Sequence, residues 1–320
     1  MRFPPPLGAR SRLVHGLTAL SAATLRGRLG GAVPAALLRE PEEIDVPVAA
    51  GSLRTLVWRC PGSAPRSPVV LVHGINANAR YWTGVACVLA GAGREILAPD
   101  LRGHGGTGPL PGGYDLTDTR ADLQDWLDRL ELGQVDLVGH SWGGKVALDL
   151  AAALPERVRQ LCLVDPVPPQ GLHPLMARST AAVAAVFAPE RGPFSDAAEL
   201  AAAHKLISWL RHAEPWMHRA FDANFRAAPD GTLRHVLPDE AFSAIFQRVL
   251  PAPNPLAPGG VDVPTLVVRA SFSVLGLPGQ LRRLRRLLPA ACVVRVPGEH
   301  SLHATNPVGL AQALLAFLEG

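Results

Sequence analysis

The sequence predicts an α/β protein: a doubly wound, mostly parallel sheet carrying an inserted all-helical lid. Three observations predict it. Short, largely apolar strand-like runs at 69–72, 95–98, 135–138 and 160–164, the first of them continuous, alternate with stretches of helical period. A continuous run suits a strand covered on both faces, and strand–helix alternation builds a parallel sheet. Between Pro168 and Pro258 the alternation stops, and helical segments punctuated by proline take over. Finally, Leu137-Val138-Gly139-His140-Ser141-Trp142-Gly143-Gly144 reads as strand, tight turn and helix, with a serine at the tip of a G-x-S-x-G pattern.

The bulk composition agrees with a large folded core. The chain has 320 residues, 48% hydrophobic and 18% charged, which excludes global disorder. Net charge is +4, and lysine occurs only at Lys145 and Lys205. Arg282-Arg283 and Arg285-Arg286 fall on a predicted helix and read as a solvated face, so no nucleic-acid partner is expected. The cysteines Cys60, Cys87, Cys162 and Cys292 form no C-x-x-C pair. Neither a zinc site nor a disulfide framework is expected, and Cys162 and Cys292 read as buried small hydrophobes. No apolar run reaches the roughly 20 residues of a membrane-spanning helix.

Taken in order, residues 1–43 form an N-terminal extension rich in Arg, Pro, Ala and Leu, with no acid before Glu40. Leu13–Leu25 has weak helical character, and basic residues precede it as in a secretory signal, but His15 and Gly16 interrupt the apolar stretch. The expectation is a partly disordered extension on a cytoplasmic protein, with export or membrane-surface association through 1–43 left open. Ile44–Val48 and Leu53–Trp58 read as a hairpin around Ala50-Gly51-Ser52. Val69–Val72 is a buried strand ending in His73-Gly74. A helix over 79–90, a strand over 95–98 and a helix over 116–130 follow. The last helix places Asp118, Asp122 and Asp125 near its start and Arg129 near its end, as the helix dipole favours. Val135–Val138 leads into the serine turn, a helix spans 142–154, and a strand covers 160–164. The lid occupies 168–255, with helices near 175–187, 196–212, 215–226 and 239–249. The core, 44–167, then resumes over 256–320 with strands at 264–268 and 292–296 and helices at 278–288 and 305–318.

His73, Asp100, Ser141 and Asp165 all stand just past the ends of predicted strands. Ligands of open α/β sheets bind at those carboxyl ends. A serine hydroxyl is a weak nucleophile at neutral pH and needs a base, which in turn needs an orienting acid. Of eleven histidines the best placed base is His300, in the loop after the last strand. His303 is its competitor, expected to start the final helix or to pack beneath the site. For the acid, the run Arg269–Leu275 after the lid offers neither Asp nor Glu. Asp262 precedes its strand and so lies at the wrong sheet edge, and Glu299 is expected to point away from the His300 ring. Asp165 remains, at the end of the strand beside Ser141; the competing reading makes it only a cap before Pro166. Ser273 can add a hydrogen bond to the acid or the imidazole from the other side. Two backbone N–H donors are needed for an oxyanion, and Ile75 and Trp142 are placed to supply them. His73 reads as a supporting structural residue, and Asp100, Arg102 and His104 as a loop-bracing network.

Together these residues resemble the α/β-hydrolase superfamily. The matching pieces are His73-Gly74, Asp100-x-Arg102-Gly103-His104-Gly105, Gly139-His140-Ser141-Trp142-Gly143-Gly144, and Gly298-x-His300 with Asn306-Pro307. The resemblance is greatest to small lidded serine esterases and thioesterases, in one subgroup of which the acid follows the strand after the elbow and a serine fills the usual acid position. It implies a Ser-His-Asp enzyme acting on a small-molecule ester or thioester with an apolar acyl or alkyl part, without cofactor or metal. Carbon–carbon bond hydrolases and cofactor-free haloperoxidases share the scaffold and the serine, and a non-catalytic ligand receptor is a further alternative. Dehalogenases and epoxide hydrolases carry an aspartate at the elbow, which Ser141 argues against. Trp209, Trp216, Met217, Phe221 and Phe225 are expected to form the lid core, a minority of them lining an apolar pocket. The sequence says nothing of oligomeric state.

Overall fold

The computed structural model describes residues 32–60, 66–169, 190–207, 209–211, 213–256, 260–273, 275 and 278–320. The expectations for Leu13–Leu25 and for a helix at 175–187 fall outside them. Eight strands form one sheet: β1 (Glu42–Val48), β2 (Gly51–Trp58), β3 (Val69–Val72), β4 (Ile96–Pro99), β5 (Val135–His140), β6 (Val158–Val164), β9 (Thr265–Phe272) and β10 (Cys292–Glu299). Their spatial order is β1-β2-β4-β3-β5-β6-β9-β10. The β1–β2 hairpin and the β2–β4 pairing are antiparallel, and from β4 to β10 every pairing is parallel.

Alternate residues of the central strands enter opposite cores, as the two-residue period of a strand requires. Leu137, Leu161, Leu163 and Val267 face α2 (Leu116–Arg129) and α3 (Trp142–Ala153) through Trp126, Val146 and Leu150. Val138, Cys162, Val164, Leu266 and Val268 face α1 (Thr83–Gly91) and the C-terminal helix through Val85, Leu89, Leu310 and Leu314. Burial on both faces explains why these strands read as mainly apolar and not as alternating runs. Cys162 is buried as expected, whereas Cys292, at the start of β10, is only half-buried.

The segment between β6 and β9 departs from the all-helical expectation. It carries α4 (Ala197–Leu206), α5 (Pro215–Asp222) and α6 (Asp239–Ala244), and also a two-stranded ribbon, β7 (Phe225–Ala227) with β8 (Leu233–His235). The helix expected to reach Arg226 stops at Asp222. The ribbon turns at Asp230-Gly231: the Asp230 carboxylate accepts from the Thr232 N–H and hydroxyl, and Gly231 sits at φ 84°. Such an Asp-Gly turn is a hairpin signal, but three-residue strands are too short to show a period. The insertion's two ends meet where Asn254 N–H donates to the Pro169 carbonyl at 2.7 Å. Trp216, Met217, Phe221 and Phe225 are buried in a third core with Tyr81, Val33 and Leu210, and Trp209 packs half-buried against it. Val33 and the turn at 35–37 therefore tie the end of the expected N-terminal extension to the insertion.

The core closes with α7 (Pro278–Leu287), whose four arginines are exposed, and with α8 (Leu302–Thr305) and α9 (Pro307–Leu318). The single helix expected over 305–318 is split at Asn306, whose side chain caps α9 by accepting from the Gly309 N–H. Among the described residues no helix is long and apolar enough to cross a membrane.

Candidate active site

Six polar residues each stand one position past a strand of the sheet: His73 after β3, Asp100 after β4, Ser141 after β5, Asp165 after β6, Ser273 after β9 and His300 after β10. Because the strands are parallel, all six emerge at one edge. Ser141 occupies the turn from β5 into α3 at φ 54°, ψ −117°, a backbone conformation that L-residues adopt only under strain. The flanking glycines make this turn possible by close approach. A Cβ on Gly139 would lie 2.2 Å from the Gly143 carbonyl oxygen, and one on Gly143 would lie 2.3 Å from that of His73. The turn is fixed by backbone bonds: Ser141 N–H donates to Val164 O at 3.0 Å, and Val167 N–H donates to Ser141 O at 3.2 Å.

The Ser141 hydroxyl and the His300 ring form one end of a hydrogen-bonded chain. Nε2 of His300 lies 3.0 Å from Ser141 Oγ, and Nδ1 lies 2.6 Å from Asp165 Oδ2. Asp165 is buried, and its other oxygen accepts from the Ala270 N–H at 3.2 Å. Burial alone would push this carboxyl up. The hydrogen bond and charge of His300 oppose it, joined by bonds from the Ser273 hydroxyl and Ala270 N–H, and the net effect holds the carboxyl below its usual range. The His300 side chain is one-third exposed, whereas that of Asp165 behind it is buried.

Trp142 begins α3 and Ile75 follows the β3 loop. Among the described residues no group accepts from either backbone N–H. The Ile75 carbonyl is held by His104 Nε2 at 2.7 Å. His73 is buried and bridges loops: its Nε2 accepts from Leu101 N–H at 3.0 Å, and its Nδ1 faces Gly74 O at 2.8 Å. Asp100 accepts from Ala79 N–H at 2.6 Å and Gly106 N–H at 2.7 Å, and Arg102 grips Asp122 with two bonds. Burial pushes His104 down to about 4 and His73 well below its ordinary value, so both rings are neutral at pH 7.

His303 is brought beneath the site rather than into it. It is buried, packs on Tyr81, Trp82 and His140, and burial holds it well below its ordinary pKa. Asp262 precedes β9, at the opposite sheet edge, and Glu299 ends β10 with its N–H donating to Thr305 Oγ1. Two residues escaped the sequence reading. His140 Nε2 donates to the His300 carbonyl at 2.9 Å, tying the His300 loop to the strand that leads into Ser141. Burial and the neighbouring His300 push His140 down to about 3. Asn76, next to Ile75, bonds to the insertion. Both contacts span more than a hundred residues of sequence and leave no local signal. Among the described residues no group of His, Cys, Asp and Glu could hold a metal ion.

A parallel sheet of this order, with a strained serine turn between an interior strand and its helix, defines an α/β hydrolase. The chain belongs to that family: the model of the alpha/beta hydrolase fold matches residues 67–307. It is similar to the sn-1-specific diacylglycerol lipase ABHD11 of Mus musculus, 30% identical over 262 residues, or 80% of this chain and 82% of the relative. Among solved structures, an E-2-(acetamidomethylene)succinate hydrolase matches with TM-score 0.71 at 24% identity over 87% of this chain and 100% of its own. A thioesterase domain from the curacin biosynthetic pathway matches with TM-score 0.65 at 25% identity over 87% of this chain and 99% of its own.

Proposed function

We propose that this hydrolase is a serine enzyme that cleaves a carboxylic ester or thioester with an apolar acyl or alkyl part through an acyl-enzyme intermediate. The observation that carries the reading is the chain Ser141–His300–Asp165, with contacts of 3.0 and 2.6 Å on one sheet edge. His300 Nε2 accepts the Ser141 proton as Oγ attacks the acyl carbon. The carboxylate of Asp165 holds the proton on Nδ1, so that Nε2 is the basic nitrogen, and it stabilises the imidazolium that forms. The oxygen of the tetrahedral intermediate takes the Ile75 and Trp142 N–H groups, which have no acceptor among the described residues, and the positive end of α3 lies behind it. His300 returns the proton to the departing alcohol or thiol. Water then enters, gives a proton to Nε2 and attacks the acyl carbon; the bond to Ser141 Oγ breaks, Nε2 returns the proton to Oγ, and the carboxylic acid leaves.

The acid's place on β6 is supported by the absence of Asp and Glu from 269–275 and by the Ser273 hydroxyl bonded to Asp165. The likeness to a lipase and a thioesterase domain favours the acyl-transfer reading over carbon–carbon bond cleavage. We assign the core to 44–167 and 256–320 and the lid to 168–255. A fluorophosphonate probe tests the proposal. It should label the wild-type protein and spare Ser141→Ala, and p-nitrophenyl butyrate and butyryl-thiocholine should both turn over. Equal labelling of the two proteins, with no turnover of either ester, would sink the reading.

A further inference from the structure

The loop that carries Ile75 is held from the insertion as well as from the core. Asn76 has three partners there, two on its side chain and one on its backbone. Its Nδ2 donates to Glu190 Oε2 at 3.4 Å, its Oδ1 accepts from Arg191 Nη1 at 3.1 Å, and its backbone carbonyl accepts from Asn224 Nδ2 at 3.0 Å. Each partner is itself fixed. Glu190 Oε1 accepts from the Trp209 indole N–H at 3.0 Å. The Arg191 guanidinium lies 4.2 Å above the Phe242 ring and donates to the Leu237 carbonyl at 2.8 Å and to Asp239 at 2.7 Å. Asn224 Oδ1 accepts from Asn78 Nδ2 at 2.7 Å, and the second Asn78 hydrogen reaches Ala220 O at 2.8 Å. Asn76, Asn78, Asn224 and Arg191 are all buried.

The network is closed, because both hydrogens of Asn78 Nδ2 and both of Asn224 Nδ2 have acceptors. A buried network of this kind specifies one arrangement, since displacing any member strands a polar group in low dielectric. Within the described residues the side chain of Asn76 meets polar partners only on the insertion. The two carbonyls after Gly74 thus have opposite anchors: His104 of the core holds Ile75 O, and Asn224 of the insertion holds Asn76 O. These anchors fix the two peptide planes that follow the Ile75 Cα, and the plane that carries the Ile75 N–H is held through its own carbonyl, Gly74 O, by the Ala77 N–H at 3.2 Å and His73 Nδ1 at 2.8 Å, so the N–H is held from both sides of that Cα.

We propose that Asn76, gripped by Glu190, Arg191 and Asn224, is a positioning residue that aims the Ile75 N–H at the oxyanion, so that the seating of the insertion sets turnover. This inference rests on the serine-hydrolase reading above. An oxyanion donor acts on the tetrahedral state and not on the planar ester, so its misplacement lowers kcat and leaves KM.

The test is a charge-reversed exchange. Asn76→Asp places a carboxylate against Glu190 and breaks that bond. Adding Glu190→Gln supplies an amide that donates back to position 76 while its carbonyl still accepts from Trp209. Asn76→Asp should lose roughly 10–100-fold in kcat on p-nitrophenyl butyrate with KM within about twofold, and should lose affinity for a trifluoromethyl ketone in parallel. The Asn76→Asp/Glu190→Gln pair should recover most of both. Melting temperatures of all three proteins are compared, because a purely structural contact would move stability and leave the kcat-to-KM split and the ketone affinity alone. A wild type that is active while Asn76→Asp keeps its kcat, or loses it only through KM, overturns the inference alone. A wild type inert to both the ester and a fluorophosphonate overturns the hydrolase reading and the inference with it.

Discussion

Asp165→Asn isolates the contribution of the acid with almost no change of volume. In the wild type the carboxylate lies 2.6 Å from His300 Nδ1 in a buried pocket. When Ser141 loses its proton the imidazole becomes a cation. A hydrogen bond to a charged partner contributes about 1.5–3 kcal/mol, and the attraction of two charges about 4 Å apart near a protein surface is about 4 kcal/mol before desolvation is deducted. The amide forfeits most of the second contribution. Its N–H₂ also favours the tautomer with the proton on Nε2, which cannot accept from Ser141. The combined loss is about 4–5 kcal/mol, or roughly 10³–10⁴-fold in kcat, with KM little changed. Initial rates on p-nitrophenyl butyrate and the rate of fluorophosphonate labelling measure it directly. Ser273 provides an internal control, since its hydroxyl already reaches the Asp165 carboxylate. Asp165→Asn/Ser273→Asp should therefore regain at least tenfold over Asp165→Asn, because the new carboxylate approaches the same ring from β9. An Asp165→Asn enzyme within tenfold of wild type would refute the assignment of the acid.

Ser141→Gly should abolish labelling yet raise stability by about 1 kcal/mol in thermal melts, because glycine relieves the φ 54° turn. Asp136→Asn should cost about 3–5 kcal/mol in denaturant unfolding, since it strands the buried Arg94 guanidinium that Asp136 pairs together with Arg159. Burial raises Asp100 from 3.8 to about 6, so the folded state holds this proton more tightly than the unfolded chain. Its contribution to stability is present below about pH 4, is lost as pH rises through about 6, and amounts to about 3 kcal/mol. Urea melts at pH 4.5 and 7.5 should accordingly show a larger deficit for Asp100→Asn at the lower pH.

The parts of the fold legible in the sequence are those with a local physical cause. The strands at 69–72, 135–140 and 158–164 are covered on both faces, so they appear as mainly apolar runs without an alternating polar face. The strand ends could be placed closely enough to put His73, Asp100, Ser141 and Asp165 just past them, whereas the strands before Ser273 and His300 run three or four residues further than their apolar runs reach. Gly139 and Gly143 were legible because adjacent backbones leave no room for a Cβ. The ribbon at 225–235 was not, since its strands have three residues each. Nor was the early end of α5 at Asp222, which frees Asn224 to bond with Asn76, Asn78 and Tyr81. The buried Arg94–Asp136 pair was equally hidden: an aspartate inside an apolar strand looks like a defect until the partner 42 positions away arrives. What the sequence conceals is pairing between distant segments, and the contacts of Asn76 and His140 are of that kind.

The place proposed for the acid, on β6 and not on β9, also has a backbone cause. Among the described residues three non-glycines have positive φ: Glu131, Ser141 and Asp165. Two of them bracket the same imidazole. Each such residue costs about 1–3 kcal/mol and persists only where its surroundings over-determine it. Ser141 N–H is bound to Val164 O, the residue before Asp165, and Val167 N–H returns a bond to Ser141 O. Asp165 N–H is bound in turn to Val268 O on β9. The serine turn and the Asp165 turn are therefore one backbone-linked unit spanning adjacent strands, and a carboxylate there is positioned by the bonds that strain the serine. An acid on β9 would lack that direct link. The arrangement places Asp165 and Ser141 at fixed separation and leaves the His300 loop, anchored through its carbonyl by His140, to bring the ring between them.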